Sequence, residues 1–512
     1  MDTIVLYRGK HIKLTKIDGT IPVAIVTFNA FTETKNPVTP NERFEPGFAE
    51  GLFYGDGFYE YHIVTNRNDW FQDSEMDVAI EAIKHDFPGD KIITYGSSMG
   101  AFGAINFSLK LNSDFVALAP QFSINPGDVE GDVRWRYENS AIDFRYNYIK
   151  SNECLNSKGY VFFDSLCPDN VHAKLIEEHT HAILIDIRFG DHLIGDILND
   201  CYGIKRVVEE IALSKFELNK FYSEYNKNKE TESSYHIKAA NYYCRNRNIA
   251  EAQKHMNCVK VTDRVYRNEG LLYKYFDTLV LLGKIQSAYK LIESYKTYLQ
   301  SVDKNISEFS YRYFAEFFME NSDYSDAKKV LSHALSLYKD NDKLYYLNSV
   351  TLYNLTPEDL TESISSVRRA IEIYKNPEYY YYLGELLFLN GNHEESRYAY
   401  LTAINLNGSI YYYYSRLSCL YWKLEKIDPA ISAIKKSISL NSKISNSYYL
   451  LGEYLYSKKD FLGSYEAYDE AIKLEPNPPD YYFYNFNKLK KNKIIVFIHY
   501  IKNRKYKIKT TL

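Results

Sequence analysis

The sequence has 512 residues, of which 45% are hydrophobic and 25% are charged, and its formal net charge is −4. This length exceeds what one hydrophobic core usually serves, so we expect at least two domains. The small net charge argues against the strongly basic face of nucleic-acid-binding proteins. The six cysteines are scattered without a C-x-x-C pair, which argues against a disulfide framework and a structural zinc site.

Residues 1–223 alternate short β-rich segments with helical ones. Runs such as VAIVTF and AILIDI are almost wholly apolar, which is typical of strands buried on both faces of a parallel sheet. The alternation predicts an α/β domain with a mostly parallel sheet and flanking helices. The predicted strands are Thr3–Leu6, Ile12–Leu14, Val23–Phe28, Tyr61–Thr65, Lys91–Tyr95, Phe115–Leu118, Tyr160–Phe163 and Ala182–Ile187.

The clearest candidate for a reactive side chain lies in the turn GSSMG at residues 96–100, between a predicted strand and a predicted helix. The frame G-x-S-x-G selects Ser98, since a sharp strand-to-helix turn exposes the serine hydroxyl and glycines let neighbouring backbone approach. Ser97 is expected to be structural. The alternative interpretation is a tight glycine turn that happens to contain serine.

A reactive serine needs a base and an acid that orients the base. His192 lies in a glycine-flanked loop after the last predicted strand and is the candidate base. Two acids are open: Asp169, preferred because it is expected in a loop, and Asp164 at a strand end. His172 is expected at the surface, near a helix start.

Residues 1–223 resemble a compact α/β hydrolase, on the strength of Gly96, Ser98 and Gly100 and of the late His192. The resemblance implies a serine hydrolase or acyltransferase that forms an acyl-enzyme on a small ester or acyl substrate. It also implies an oxyanion hole made by the backbone N–H of Met99 and one from Asn29 or Ala30. The glycine that often precedes the family's acid is absent here, and no HGGG motif marks the loop after VAIVTF.

Residues 224–234 (EYNKNKETESS) are predicted to be a polar linker, and beyond them no strand is expected. A pattern recurs there at intervals of 34 residues. The recurring positions are Tyr380, Leu383, Gly384 and Ala403, then Tyr414, Leu417, Ser418 and Ser437, then Tyr448, Leu451, Gly452 and Ala471.

This pattern resembles the tetratricopeptide repeat (TPR), and weaker copies before it extend the prediction to about seven helical hairpins over residues 235–487. The resemblance implies an all-α TPR solenoid whose concave face binds a protein, glycan or other polymer. Residues 488–512 are predicted to be a basic tail or capping helix.

The sequence lacks a secretory signal and a long apolar segment, so a cytoplasmic protein without a transmembrane helix is expected. No nucleotide-binding, dinucleotide-binding or zinc motif stands out, so no cofactor or metal is predicted, and no nucleic-acid partner either. Besides the serine hydrolase or acyltransferase, two hypotheses stay open. One is a catalytically inactive hydrolase fold within a TPR scaffold, and the other is a peptidase on the same fold.

Overall fold

The computed structural model describes residues 3–32, 35, 37–41, 43–129, 132, 134–151, 153–302 and 304–492. It divides into two compact units, Met1–Tyr298 and Leu299–Leu512. The predicted linker at 224–234 lies inside the first unit, where it forms the end of one helix and the start of the next. Tyr225 in this segment is buried and stacks on Phe221, so the segment contributes to packing. Among the described residues, no helix is both long and apolar enough to cross a membrane.

The first unit contains an eight-stranded sheet with strand order β1-β2-β4-β3-β5-β6-β7-β8. Strands β3 to β8 run parallel to one another, whereas β1 pairs antiparallel with β2 and β2 with β4. The strands are β1 (Ile4–Arg8), β2 (Ile12–Ile17), β3 (Val23–Phe28), β4 (Tyr59–Thr65), β5 (Lys91–Ser97), β6 (Asp114–Leu118), β7 (Lys158–Phe163) and β8 (His181–Asp186). The mostly parallel sheet is therefore confirmed, with strand ends that differ from prediction by a few residues.

Helices connect and cover these strands because apolar side chains on both sheet faces must be buried. The α2 helix contacts β5, β6 and β3, and its small residues allow close packing. The helices of this part are α1 (Glu75–Asp86), α2 (Met99–Leu111), α3 (Arg136–Ala141), α4 (Asp169–His179), α5 (Gly195–Cys201), α6 (Ile204–Ala212) and α7 (Leu218–Lys229).

The described residues after α7 are helical, with short connections. Still in the first unit are α8 (Ser233–Arg245), α9 (Ile249–Met256), α10 (Asp263–Arg267) and α11 (Glu269–Leu281), and α12 (Ile285–Ser301) runs across the division. The second unit contains α13 (Glu308–Glu320), α14 (Tyr324–Leu337), α15 (Asp342–Leu355), α16 (Thr361–Ile373), α17 (Pro377–Leu389), α18 (His393–Leu406), α19 (Tyr411–Lys423), α20 (Ile427–Leu440), α21 (Ser445–Ser457), α22 (Phe461–Leu474) and α23 (Tyr482–Lys490).

The second unit packs successive helix pairs through small residues and tyrosines. A Cβ added at Gly384 would lie 2.6 Å from the Tyr400 ring, so only glycine lets α18 approach α17 this closely. Rings about one repeat apart stack, as Tyr346 does on Tyr379 with centroids 4.8 Å apart. The first residues of the predicted basic tail, 488–490, form the end of α23, and residues 493–512 lie outside the described residues.

Candidate active site

The predicted site residues lie at the carboxyl edge of the sheet, where the loops after parallel strands converge. Several residues in these loops have positive φ, a conformation that is costly for any residue except glycine. Such residues follow β4, β5, β6 and β8 and are Trp70, Phe71, Ser98, Ala119, Phe189 and Asp191. Strained backbone is therefore concentrated around this edge.

Ser98 occupies the turn between β5 and α2 with φ 55° and ψ −121°. The flanking glycines permit this turn: a Cβ on Gly96 would overlap the Gly100 carbonyl, and one on Gly100 would overlap the Phe28 carbonyl. The Ser98 amide donates to the Leu118 carbonyl at 2.9 Å, which fixes the turn against β6. The side chain of Ser98 consequently faces the loops after β6, β7 and β8 and not the solvent.

His192 lies in the loop after β8, and its ring joins two of the predicted residues. Its Nε2 atom is 2.8 Å from Ser98 Oγ, and its Nδ1 atom is 2.7 Å from Asp169 Oδ2. Because a carboxylate only accepts, Nδ1 carries the proton and Nε2 accepts from the serine hydroxyl. The His192 side chain is 24% exposed, so an incoming molecule has access to it.

Of the two acids, the structure brings Asp169 to the histidine. Asp169 is the first residue of α4 and not a loop residue as expected, and its side chain is fully buried. Asp164 instead accepts from the amides of Leu166 and Asp191, at 2.9 and 2.8 Å. Burial raises the pKa of Asp164, and these amides oppose the rise. Asp164 thus shapes the loop that carries His192 without contacting the imidazole.

The predicted oxyanion donors are the backbone amides of Met99 and of Asn29 or Ala30. Met99 is the first residue of α2, so its amide has no intrahelical acceptor and lies at the positive end of the helix dipole. The Asn29 amide donates to the Ile63 carbonyl at 3.3 Å, which extends the pairing at the end of β3 and leaves Ala30 as the second predicted donor.

Residues that the sequence analysis did not single out complete the site. Gln121, after β6, donates its side-chain amide N–H to Ser98 Oγ at 3.2 Å. The indole N–H of Trp70 donates to the side-chain oxygen of Gln121 at 3.4 Å. Arg134 donates to the second oxygen of Asp169 at 2.8 Å. Trp135 packs near His192, with ring centroids 6.4 Å apart. The position of Gln121 shortly after a predicted strand was an available signal, because side chains in such loops gather at one edge.

His172 was expected at the surface, and this expectation is wrong. The residue is fully buried, its Nδ1 accepts from the Phe122 amide at 2.9 Å, and its Nε2 lies 2.8 Å from Asp132. It occupies the same face of α4 as buried Ala173 and Ile176.

The loop that carries His192 is held from behind by α8. Lys238 donates to the Leu193 carbonyl at 2.7 Å and to the Gly190 carbonyl at 3.4 Å, and it pairs with Asp196 at 3.0 Å. The Phe189 ring is buried among aromatic rings whose centroids lie 5.5–6.2 Å from its own, namely those of Tyr235, Tyr242, Tyr243 and His255. The helix after the predicted linker is therefore part of the support of the site.

Comparison with known families identifies the repeats. Residues 358–409 match one family model described as tetratricopeptide repeat, and residues 411–444 and 445–478 match another. Residues 358–478 therefore carry tetratricopeptide repeats, which confirms this part of the prediction and indicates a role in protein interaction. No curated protein matches the chain.

Several solved structures are similar to part of this chain. The C-terminal part of a TPR repeat-containing protein from Cytophaga hutchinsonii is 17% identical, covers 49% of this chain and 98% of its own, and has a TM-score of 0.38. Pseudomonas aeruginosa pilF is 16% identical, with coverages of 40% and 89% and a TM-score of 0.34. YrrB, described as a TPR protein with an unusual peptide-binding site, is 19% identical, with coverages of 33% and 88% and a TM-score of 0.30.

Proposed function

We propose that the first unit is a serine hydrolase or acyltransferase of the α/β-hydrolase type, acting on an ester-type substrate. One observation carries the proposal: Ser98 Oγ, the imidazole of His192 and the carboxylate of Asp169 form a continuous hydrogen-bonded series. The chain order Ser, Asp, His is that of α/β hydrolases, and the serine has the strained backbone expected of a nucleophile on a sharp turn.

The geometry supports the following chemistry. Ser98 Oγ attacks the carbonyl carbon of the substrate while its proton passes to His192 Nε2, and Asp169 stabilises the imidazolium that forms. The amide of Met99 donates to the developing oxyanion. His192 then gives the proton to the leaving alcohol or thiol as the tetrahedral intermediate collapses to an acyl-enzyme. Water or an acceptor alcohol attacks the acyl-enzyme by the same steps in reverse, which restores the serine.

Aromatic side chains make the wall beside the proposed site apolar. Trp135, which packs near His192, also contacts Phe31 at 4.9 Å and Trp70 at 5.5 Å between ring centroids. An apolar wall strengthens electrostatic interactions at the reacting atoms by limiting water. It also favours an acyl group over a charged one as the portion of substrate next to Trp135.

The repeats in the second unit are proposed to bind a protein partner, since TPR arrays present extended surfaces and carry no chemistry of their own. A second function follows from the same observation: an interaction protein whose hydrolase-like part is catalytically inactive. The comparisons favour this second function, because they identify the repeats and not a hydrolase. The hydrogen bonds of Ser98 favour the first function, a serine hydrolase or acyltransferase.

A fluorophosphonate probe separates the two functions without knowledge of the substrate, because it reacts with a serine only when a base activates it. We expect the folded wild-type chain at pH 8 to be labelled stoichiometrically and Ser98→Ala to be unlabelled. Ser97→Ala is the matched control and should be labelled like wild type. Absence of label on folded wild type would refute the enzymatic proposal, and survival of the cellular role in Ser98→Ala would favour the interaction protein. Cleavage of unmodified peptides would instead point to a peptidase.

A further inference from the structure

Arg134 connects the acid of the proposed site to a second carboxylate. Its Nη2 donates to Asp169 Oδ1 at 2.8 Å and to Asp132 Oδ2 at 2.7 Å. Its Nε donates to both oxygens of Asp132, at 3.0 and 3.1 Å. The planar guanidinium is therefore held in one orientation, with its charge beside the carboxylate that orients His192.

Asp132 is in turn fixed by a buried histidine. His172 Nδ1 accepts from the Phe122 amide, so the ring proton lies on Nε2 and is donated to Asp132 Oδ2 at 2.8 Å. His172 is thereby a neutral donor in this network and adds no charge. The Asp132 carboxylate also accepts from the Arg134 amide at 3.0 Å.

The series of hydrogen-bonded residues that starts at Ser98 also leads back to it. Gln121, next to Phe122, donates to Ser98 Oγ, and the Trp70 indole fixes which end of the Gln121 amide faces the serine. Hydrogen bonds and one peptide link thus form a closed ring around the site. In order, its members are Ser98, His192, Asp169, Arg134, Asp132, His172, Phe122 and Gln121.

The ring contains two carboxylates and one guanidinium. Burial raises the pKa of Asp169, but the hydrogen bond from His192 and the charge and hydrogen bond of Arg134 outweigh it and leave the pKa below its usual value. Burial likewise opposes ionisation of Asp132, and hydrogen bonds from His172 and Arg134 hold its pKa well below the usual range. Both carboxylates are therefore ionised, and Arg134 compensates one of them.

We infer that Arg134 and Asp132 are positioning residues: they orient Asp169, and because they form a charge-neutral pair they add no net charge near His192. This inference rests on the proposed function. Besides Asp169 and this pair, the charged groups at the loop of His192 are Asp191, which is paired with Lys274 at 3.6 Å, and Lys238 of α8, which is paired with Asp196 at 3.0 Å. Removing one member of the pair changes the charge near the imidazole by one unit, and removing both leaves it unchanged.

The test measures the rate of fluorophosphonate labelling as a function of pH. The rate falls at low pH because the neutral base is lost, and we call this part of the profile the acidic limb. Arg134→Met leaves an uncompensated carboxylate, which favours the imidazolium, so the limb should move to higher pH by about one unit. Asp132→Asn leaves an uncompensated cation and should move the limb to lower pH by about as much. The double variant should return the limb to the wild-type position.

Arg136→Met, at an exposed arginine two residues away, is the matched control and should leave the profile unchanged. A merely structural role would lower rates without opposite shifts of the limb. Unshifted limbs in folded single variants, or a double variant shifted like either single one, would overturn the inference while wild-type labelling upholds the proposed function. A folded wild type that is not labelled at any pH would overturn both. If Arg134→Met does not fold, Asp132→Asn alone decides by the direction of its shift.

Discussion

Replacing Lys238 by Met tests whether α8 holds the loop that carries His192. The Lys238 side chain is almost completely buried, and its ammonium group donates to the Leu193 and Gly190 carbonyls on either side of His192. Met has a similar length and fills the same space but donates no hydrogen bond. The change therefore removes the tether of the loop with little loss of packing.

Two opposing contributions determine how much stability Lys238→Met loses. Each hydrogen bond from a charged donor contributes about 1.5–3 kcal/mol to the free energy of unfolding. Burial, however, lowers the pKa of Lys238, which means that the desolvated charge itself is costly, and Met removes that cost. We expect a net loss of stability of at most about 2 kcal/mol. The effect on reactivity should be larger, because a displacement of about 1 Å in a catalytic group can cost about 100-fold in rate.

The assay is the second-order rate of fluorophosphonate labelling at pH 8, with the thermal unfolding midpoint measured on the same samples. Lys238→Met should label about 10- to 100-fold more slowly than wild type while it remains folded at 25 °C. Lys254→Met, at an exposed lysine of α9, is the control and should label at the wild-type rate. A rate for Lys238→Met within about threefold of wild type would refute the role of α8 in holding His192.

Asp169→Asn should lower the labelling rate by about 10³- to 10⁴-fold, because the amide no longer fixes the tautomer of the imidazole; Asp164→Asn should lower it by less than about tenfold, and similar losses would contradict the assignment of the acid. Glu60 is buried and its pKa is raised to about 7, so its contribution to stability is present below the unfolded pKa and is lost as pH rises through about 7. Glu60→Gln should therefore increase the free energy of unfolding by about 2–3 kcal/mol more at pH 8 than at pH 4, as measured by urea denaturation, and an equal change at both pH values would contradict this. Gly384→Ala should lower stability by about 1–3 kcal/mol because its Cβ would meet the Tyr400 ring. Calorimetry should show a smaller loss when Tyr400→Leu is also present, and an unchanged loss would argue against the contact.

Sequence patterns predicted well those features that depend on local burial. Each of the eight predicted strands is present. The run VAIVTF was readable because continuous apolar residues are needed wherever a strand is covered on both faces. The 34-residue interval was readable because small residues must recur wherever two helices approach closely, as at Gly384. Ser98, His192 and the two candidate acids Asp169 and Asp164 were predicted from chain order and from their positions after strands, and the structure brings Ser98, His192 and Asp169 together.

Features that depend on distant contacts could not be read in the same way. Nothing near Arg134 in the sequence indicates that it pairs with Asp169, since the contact spans 35 residues and lies in a stretch without periodicity. Gln121 likewise gains its orientation from Trp70, which is 51 residues away. His172 was misjudged although a local signal existed: it shares a helix face with Ala173 and Ile176, and a histidine on that face is buried.

The backbone conformation of Ser98 has a consequence for the history of this site. A serine held at φ 55° costs about 1–3 kcal/mol relative to relaxed backbone, and glycine would avoid much of that cost. Mutations that relieve strain spread readily where no activity opposes them. The residue at position 98 should therefore indicate whether a related protein keeps the activity. Lineages that have lost the chemistry should drift to glycine there, and lineages that retain it should keep the strained serine.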